Sequence, residues 1–239
     1  MSSTFVKTAS HQTLEVLARS GLDCVVIDAE HAPFSNDQLD RCMLASKAHD
    51  LPALVRVPNA QPSTLLQILD MGASGLLIPH ALNAQSVRET VSSTLYVNGT
   101  RGFSNSPRAG GYGALSMNEL ISSADQDLAL IFQIEDKEAI EHIDALCAIE
   151  RVDAYLIGRA DLAVSLGVFD VNHPQIDQAI ERVTESCQKH NKALGIFITE
   201  AQEAKKWLDK GIRFFIIGSD QSMLLKQAKS NTEIFHQIS

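Results

Sequence analysis

Residues 23–31 read DCVVIDAEH, a short apolar run that ends in two carboxylates and a histidine. Consecutive apolar residues bounded by polar ones are typical of a strand that is buried on both faces. A carboxylate beside such a strand is costly to bury unless it is paired or binds a metal ion. The stretch therefore predicts a buried strand with a functional site at its C-terminal end, and it makes the chain an enzyme candidate.

Similar apolar runs recur along the chain and alternate with amphipathic stretches that favour helices. Gly21, Gly72 and Gly211 follow three of these stretches, where the left-handed turn that ends a helix favours glycine. Strands that alternate with helices indicate parallel βαβ units, and eight of them in 239 residues predict a single (β/α)8 TIM barrel over residues 1–239. A doubly wound open sheet is the alternative, but the chain has neither a GxGxxG turn nor a Walker phosphate loop. The predicted strands lie at 4–7, 23–28, 53–57, 75–79, 129–134, 153–157, 193–198 and 213–217.

Composition narrows the class of protein further. The formal net charge is −9, whereas a nucleic-acid partner would require clustered lysine and arginine, so we expect no nucleic acid to bind. The cysteines form no CxxC pair, which predicts free buried thiols rather than a zinc site; they are Cys24, Cys42, Cys147 and Cys187. No stretch has the apolar length of a signal peptide or a membrane span, so we expect a cytoplasmic protein that does not bind membranes.

The C-terminal ends of the predicted strands carry polar residues, and barrels of this kind form their active sites at that face. Glu135 follows the fifth strand and Asp161 follows the sixth. Two carboxylates at adjacent strand ends supply part of an oxygen-rich site, in which Mg²⁺ or Mn²⁺ would keep positions for water and substrate. Each carboxylate could instead be an N-terminal or capping acid of the following helix. Because several strand ends carry polar groups toward the same face, we favour the metal site.

Three further residues are candidates for catalysis. His31 follows Glu30 at the end of the second strand, and a histidine that titrates near neutral pH can transfer protons. Arg56 ends an otherwise apolar strand, where an arginine must be paired or must contact a ligand. Asp70 closes a predicted helix, where a carboxylate is unfavourable against the helix dipole. That position indicates a specific partner for Asp70, and His31 is a candidate.

Several motifs, in order along nearly the whole chain, resemble those of one enzyme family. The chain is similar to the metal-dependent (class II) pyruvate aldolases of the 4-hydroxy-2-oxoheptanedioate aldolase family, which includes the 2-keto-3-deoxy-sugar-acid aldolases. Motifs that recur in order, each at a barrel turn, are far more specific than any one alone. The motifs are GLDCVVIDAEHAP at 21–33, LVRVP at 54–58, ILDMGASGLLIP at 68–79, GTRGFSNSPRAGGYG at 99–113, FQIED at 132–136 and IGRADLAVSLG at 157–167.

The resemblance implies a reaction, the reversible retro-aldol cleavage of a 4-hydroxy-2-oxo acid to pyruvate and an aldehyde, with Mg²⁺, Mn²⁺ or Co²⁺ as cofactor. It implies that Arg56 contacts the pyruvate oxygen and that His31 and Asp70 form a catalytic base pair. Family members are typically hexamers built from dimers that exchange a C-terminal helix, so we expect residues 223–237 to be such an element in a homo-oligomer. The remaining implied roles are metal binding by Glu135 and Asp161 and substrate binding by Gln133, Gly158, Ala160 and Asp161.

The chain departs from the family pattern at its rim. Arg159 stands where proline is usual and could bind a second carboxylate or point to solvent, and His80 stands where an apolar residue is commoner and could touch the substrate. The N-terminus is short, and the helix that covers the barrel bottom in the family is not evident. Two alternative functions remain open. One is citrate-type condensation or lysis with a coenzyme A thioester on the same scaffold, and the other is a non-catalytic binding barrel.

Overall fold

The computed structural model describes residues 1–238, which form a closed barrel of parallel strands. Each strand pairs with its neighbours in sequence order, and β8 pairs with β1 to close the barrel. The predicted (β/α)8 barrel is confirmed, and every predicted strand overlaps an observed one. The strands are β1 Ser2–Val6, β2 Val25–Asp28, β3 Ala53–Arg56, β4 Gly75–Ile78, β5 Ala129–Ile134, β6 Ala154–Ile157, β7 Ala193–Ile198 and β8 Phe214–Ser219.

Helices connect the strands and cover the outside of the barrel. They are α1 His11–Leu17, α2 Asn36–Ala48, α3 Pro62–Asp70, α4 Ala84–Thr94, α5 Met117–Asp127, α6 Lys137–Glu141, α7 Ile143–Cys147, α8 Arg159–Ser165, α9 Pro174–Lys189, α10 Ala204–Leu208 and α11 Asp220–Ile238. Between β5 and β6 the chain forms two short helices, α6 and α7, because His142 leaves helical geometry with φ −101° and ψ 7°. Helix α5 begins with a capping box, in which Ser116 and Glu119 each bond the backbone of the other.

Both faces of the barrel strands are buried, as parallel strands require. On β2, Val26 points into the barrel while Val25 and Ile27 pack against the helices, because successive side chains alternate. Each fully buried aliphatic side chain contributes about 1.5–3 kcal/mol relative to its exposed state. The residues of the inner cluster are Phe5, Cys24, Val26, Leu54, Leu77, Ile131, Ala154, Leu156, Phe214 and Ile216.

The inner positions become polar at the C-terminal ends of the strands. Asp28 lies two residues beyond Val26, and Arg56 lies two residues beyond Leu54, so both side chains lie on the inner face of the barrel. The alternation that fills the barrel with apolar side chains therefore also directs a polar layer into its mouth. The other members of that layer are Lys7, Gln133, Glu135 and Gly158.

Two further features concern the apolar character of the helices and the state of the cysteines. Within residues 1–238, no helix combines the length and apolar character needed to cross a bilayer. All four cysteines are buried, as the sequence predicted. The Sγ atoms of Cys147 and Cys187 lie 3.7 Å apart, well beyond the length of a disulfide bond, about 2.05 Å.

Candidate active site

A cavity of about 730 Å³ opens at the C-terminal end of the barrel. Glu135 is 3% exposed, and its carboxylate accepts a hydrogen bond from Gln133, a residue of the cavity wall. The strand ends thus bring together all of the predicted site residues except Asp70. Those that line the cavity are His31, Arg56, Gln133, Gly158, Ala160 and Asp161.

Two carboxylates hold Arg56 in the cavity wall. Its Nε and Nη2 donate to Oδ1 and Oδ2 of Asp28 at 2.9 and 2.7 Å, and Nε lies 3.2 Å from Oε2 of Glu30. The guanidinium also lies over the ring of Phe5, 4.5 Å from its centre, and the side chain is 7% exposed. Bidentate pairing fixes the plane of a guanidinium as well as its position. Arg56 therefore presents an oriented positive charge to the cavity.

Asp28 joins three strand ends through its buried carboxylate. Besides the bonds from Arg56, Oδ1 accepts the backbone N–H of His31 at 3.1 Å, and Oδ2 lies 3.2 Å from Nζ of Lys7. Burial alone would raise the pKa of Asp28. The hydrogen bonds and charge of Arg56, with the His31 amide and the charge of Lys7, outweigh burial and lower that pKa below its ordinary value. Asp28 is therefore ionised at neutral pH.

A second cluster follows β5. Gln133 donates through Nε2 to Oε2 of Glu135, and the backbone N–H of His80 donates to Oε1 of Glu135 at 2.9 Å. A side chain on Gly158 would place its Cβ 2.8 Å from Nε2 of Gln133 and 3.1 Å from Oε2 of Glu135. Glycine at position 158 therefore allows the end of β6 to approach this pair closely.

This cluster fits a divalent cation. Burial raises the pKa of Glu135, and the nearby carboxylates of Asp161 and Glu30 raise it further, while His80 opposes the rise. Oε1 of Gln133 is buried without a hydrogen-bond partner among the described residues. A cation would stabilise a buried carboxylate in such surroundings and would give the amide oxygen a partner. Because the carboxylate and amide donors are all oxygen atoms, the set suits Mg²⁺ or Mn²⁺.

His80 and Asp136 form a further group beside Glu135 that the sequence analysis did not assign to metal binding. Nδ1 of His80 lies 3.0 Å from Oδ2 of Asp136 and 3.4 Å from Oε1 of Glu135. One ligand atom from each of these three residues lies within 4.8 Å of the other two. The hydrogen bond to Asp136 raises the pKa of His80, against the effect of its burial. The position of His80, two residues after the end of β4, was the sequence signal that could have identified this group.

His31 and Asp70 lie at opposite ends of the barrel in one subunit. His31 follows β2 and faces the cavity, with Nε2 3.6 Å from Oε2 of Glu30. Asp70 ends α3, which runs back from the end of β3 to the start of β4, so it lies at the N-terminal end of the barrel. There its Oδ1 accepts a hydrogen bond from Nη2 of Arg101 at 3.1 Å. The implied pair of His31 and Asp70 does not form within one subunit and stays a prediction for an assembly.

Arg159 lies at the cavity edge, but its charge is already paired. Nη2 donates to the backbone oxygen of Phe197 and to Oε2 of Glu203, both at 3.2 Å. The guanidinium also lies 5.3 Å from the ring centre of Trp207. The sequence left two roles open for Arg159, binding a second carboxylate or pointing to solvent. Its side chain is mostly buried rather than free in solvent. Its guanidinium is already paired with Glu203, so it is not free to bind another anion.

A closed barrel whose C-terminal cavity combines an oriented arginine with clustered carboxylates defines an enzyme that acts on small anionic substrates. Residues 2–227 match the family model described as HpcH/HpaI aldolase/citrate lyase. The match spans nearly the whole barrel, and the chain belongs to that family.

Curated relatives and solved structures agree with this assignment. The 5-keto-4-deoxy-D-glucarate aldolase of Klebsiella pneumoniae is 31% identical over 223 residues, which cover 92% of this chain and 86% of the relative. The protein of the same name from an Enterobacter species is 33% identical over 214 residues, covering 89% and 83%. An HpcH/HpaI aldolase/citrate lyase family protein from Burkholderia cenocepacia has a TM-score of 0.94 at 28% identity, covering 99% of this chain and 94% of that one. The citrate synthase SbnG has a TM-score of 0.90 at 26% identity, covering 99% and 93%.

These comparisons confirm the predicted class of enzyme, an aldolase, which is a carbon–carbon lyase. They favour retro-aldol cleavage to pyruvate over the citrate-type alternative, since the aldolases are the more similar in sequence. The prediction of a catalytic rather than a purely binding barrel is confirmed with them.

Proposed function

We propose that the chain cleaves a 4-hydroxy-2-oxo acid to pyruvate and an aldehyde with a divalent ion, Mg²⁺, Mn²⁺ or Co²⁺, held by Glu135 and Asp161. The observation that carries this proposal is that an oriented Arg56 lines the same cavity as Gln133, whose amide donates a hydrogen bond to the buried Glu135. When bound, the ion supplies Lewis-acid polarisation of the 2-oxo group. His80 and Asp136 lie close enough to Glu135 to add ligands.

Arg56 stabilises the charge that develops during cleavage. As the bond between C3 and C4 breaks, negative charge grows on the 2-oxo oxygen, and the guanidinium beside that oxygen stabilises it. Because Asp28 and Glu30 orient the guanidinium before the substrate arrives, little reorganisation is needed, and electrostatic stabilisation is largest under that condition. The groups that we propose bind the carboxylate and oxo group of the substrate are Gln133 and the backbone amides of Gly158, Ala160 and Asp161.

His31 is the proposed base that accepts the proton of the substrate's 4-hydroxyl group. Its ring faces the cavity, and its backbone is anchored to Asp28 by the 3.1 Å hydrogen bond. The neutral imidazole accepts the proton of the 4-hydroxyl as the carbon–carbon bond breaks, and the imidazolium can return a proton to C3 of the product. Glu30, whose Oε2 lies 3.6 Å from Nε2 of His31, stabilises the charged ring.

We also propose that the protein is a homo-oligomer, a hexamer built from dimers with exchanged C-terminal helices, in which Asp70 of one subunit reaches His31 of another. Asp70 is partly exposed at the N-terminal end of the barrel and can face a neighbouring copy. Helix α11 has no buried residue within the subunit. A long helix with exposed apolar side chains requires a partner surface, and we propose that a second copy supplies it. The exposed apolar residues of α11 are Met223, Leu224, Leu225, Ile234, Phe235 and Ile238.

We place the enzyme in the cytoplasm because its four thiols are free and buried, as is usual in a reducing compartment. Burial raises the pKa of Cys42 to about 11, so that thiol is unreactive at neutral pH. Thiol titration should therefore find all four cysteines in denatured protein and none in the folded enzyme. A disulfide in protein purified from its natural source would contradict this placement.

Citrate-type condensation or lysis with a coenzyme A thioester is the second candidate. The specific observation in its favour is the structural likeness to the citrate synthase SbnG. That reaction also places negative charge on an oxygen beside the reacting carbon, so Arg56 could serve either chemistry. The aldol reaction stays first because two aldolases are more similar in sequence.

Pyruvate release tests the proposal. Chelator-treated protein would be assayed with 5-keto-4-deoxy-D-glucarate and other 4-hydroxy-2-oxo acids, before and after Mg²⁺, Mn²⁺ or Co²⁺ is restored. The variant Glu135→Gln should lose metal binding in calorimetry and lose about 100- to 1000-fold in kcat. The matched control is Glu138→Gln, an exposed position on α6. Chelator-resistant cleavage would contradict the metal site, and metal binding without any cleavage would favour thioester chemistry.

A further inference from the structure

We propose that Arg159 is a positioning residue that holds one wall of the cavity in place and thereby sets the affinity for the part of the substrate beyond the 2-oxo acid group. The wall belongs to residues 199–203, the β7 loop, of which residues 199–202 line the cavity. This inference rests on the proposed function, which assigns the 2-oxo acid group to Arg56, Gln133 and the backbone amides that follow β6.

The β7 loop borders the part of the cavity that the 2-oxo acid group leaves free. Arg56 and Gln133 lie toward the ends of β3 and β5, and the proposed amide donors lie at residues 158–161, directly after β6. Beyond these groups the cavity wall continues with the β7 loop and with the end of β8. A substrate that extends beyond its 2-oxo acid group therefore places its further carbon atoms against this wall.

Arg159 joins the β7 loop to the end of β6. Its Nη2 donates to Oε2 of Glu203 and to the backbone oxygen of Phe197, the last residue but one of β7, both at 3.2 Å. The Arg159 side chain is 12% exposed, so its contacts are largely shielded from water. One guanidinium nitrogen thus holds both β7 and the loop that follows it against the start of α8.

Glu203 transmits this constraint to the backbone of the loop. Its Oε1 accepts the backbone N–H groups of Thr199 and Glu200 at 3.0 and 3.1 Å and the hydroxyl of Thr199 at 2.7 Å. Burial would raise the pKa of Glu203, but these hydrogen bonds and the one from Arg159 lower that pKa below its ordinary value. The carboxylate is therefore ionised at neutral pH, and it connects Arg159 to the first residue of the loop as well as to the last.

A second ion pair reaches the β7 loop from α11, with Nζ of Lys226 2.6 Å from Oε2 of Glu200. Both of these side chains are largely exposed, and exposed pairs contribute little because water screens them. A charge-assisted hydrogen bond that is shielded from water is the stronger kind. Arg159 is therefore the main anchor of the loop.

Two ligands of different length test this role by calorimetry on the metal-loaded enzyme. Pyruvate has the 2-oxo acid group with a methyl group alone, whereas 2-oxohexanoate extends further by a propyl chain. Neither has a 4-hydroxyl, so neither can undergo the proposed cleavage. Arg159→Met should weaken the binding of 2-oxohexanoate by about tenfold, because a mobile wall must be ordered when the ligand binds. The same variant should change pyruvate binding by less than about twofold.

Matched variants separate positioning from a general loss of structure. Arg159→Lys should keep most of the affinity for 2-oxohexanoate, since one charged nitrogen makes both contacts in the wild-type protein. Glu203→Gln should weaken that affinity as Arg159→Met does, and the double variant should be no weaker than the weaker single variant, because the two residues act as one unit. Additive losses, equal losses for both ligands, or a parallel loss of metal affinity would overturn the inference.

Trp207 gives a readout that requires no ligand. It is the one tryptophan of the sequence, it is buried on α10 just after the β7 loop, and the guanidinium of Arg159 lies 5.3 Å from its ring centre. Acrylamide quenching of its fluorescence should increase in Arg159→Met, because the loop and α10 open more often. Unchanged quenching would show that the loop keeps its place without Arg159 and would overturn the inference.

Lys206→Met is the matched control for the fluorescence measurement. Nζ of Lys206 lies 4.5 Å from the same ring centre, but this exposed side chain pairs with Asp177 on α9 rather than with the β7 loop. The variant therefore removes a cation from the indole ring and leaves the anchor of the loop in place. Its quenching should match that of wild-type protein, and an increase as large as in Arg159→Met would assign the change to lost charge at the ring instead of to loop position.

The two proposals fail in different ways. Absence of pyruvate release from every 4-hydroxy-2-oxo acid, with a selective loss of 2-oxohexanoate affinity in Arg159→Met, would reject the proposed reaction and leave Arg159 as a positioning residue. Pyruvate release together with equal affinities of wild-type protein and Arg159→Met for 2-oxohexanoate would leave the reaction in place and reject the role of Arg159.

Discussion

Arg56 and Asp28 form a two-point ion pair at the mouth of the barrel, with Nε and Nη2 of the arginine 2.9 and 2.7 Å from the two carboxylate oxygens. Because both side chains are buried, removing the carboxylate leaves donors of Arg56 without partners. We expect Asp28→Asn to lower the free energy of unfolding by about 1–3 kcal/mol and kcat by about 10- to 100-fold. Urea denaturation and steady-state kinetics measure the two effects.

An exposed ion pair supplies the control for that variant. Nη2 of Arg41 lies 2.9 Å from Oδ2 of Asp37 on the surface of α2, and both side chains are largely exposed. Surface pairs of this kind contribute about 0–1 kcal/mol. Asp37→Asn should therefore change stability little, and an effect as large as that of Asp28→Asn would contradict the importance of the buried pair.

The same carboxylate predicts how stability depends on pH. The pKa of Asp28 is lower in the folded protein than in the unfolded chain, where an aspartate has a pKa of about 3.9. Its contribution to stability is therefore fully present above that unfolded value and is lost as the pH falls through the folded pKa. The free energy of unfolding would be measured by urea denaturation between about pH 7 and about pH 3. Below about pH 4 it should fall more steeply in wild-type protein than in Asp28→Asn. Parallel curves would show that other groups control acid unfolding.

Substitution of Gly158 should disturb the proposed metal site while the protein still folds. A Cβ at this position would crowd Nε2 of Gln133 at 2.8 Å and Oε2 of Glu135 at 3.1 Å. Gly158→Ala should therefore displace the proposed metal ligands, weaken metal binding and lower kcat/KM by about tenfold or more. Gly102→Ala is the matched control, because its Cβ would meet a single side-chain atom of Leu66 at 3.6 Å, an ordinary contact. Equal activity of the two variants would show that the end of β6 can shift to accept a Cβ without displacing Gln133 and Glu135.

The opposite locations of His31 and Asp70 predict complementation between subunits. His31→Asn and Asp70→Asn should each be nearly inactive as pure proteins. When the two are dissociated and reassembled together, a site can combine an intact His31 from one subunit with an intact Asp70 from another, in about a quarter of random pairings. Activity should rise toward that fraction of wild type. A mixture that stays as inactive as its components would reject a pair shared between subunits.

Much of the architecture follows from local sequence. Runs such as Val25–Asp28 are short, apolar and flanked by polar residues, so they identify parallel strands without long-range information. The alternation along a strand then places Asp28 and Arg56 on the inner face, and the parallel barrel gathers all C-terminal strand ends at one mouth. That the predicted residues Gln133 and Asp161 line one cavity follows from the same rule.

Other features depend on distances that the sequence does not contain. The contact of Lys7 with Asp28 joins β1 to β2, and the approach of His80 to Asp136 joins the ends of β4 and β5. Pairings of this kind depend on loop geometry and on the tilt of neighbouring strands, so residue type alone does not predict them. Asp70 is a further example. Its place at the end of a helix was predicted from the sequence, but its hydrogen-bond partner within the subunit, Arg101, was not.

The pairing that closes the barrel joins its first strand to its last, since Phe5 pairs with Ser219 and Lys7 donates its amide hydrogen to Asp220. A ribosome produces β1 before the other seven strands and β8 after them, so one edge of β1 stays unpaired while the strands between are made. Such long-range pairing is slow to form, and an open edge invites association with other chains. The nascent polypeptide therefore has no complete cavity until β8 has been made and has paired with β1.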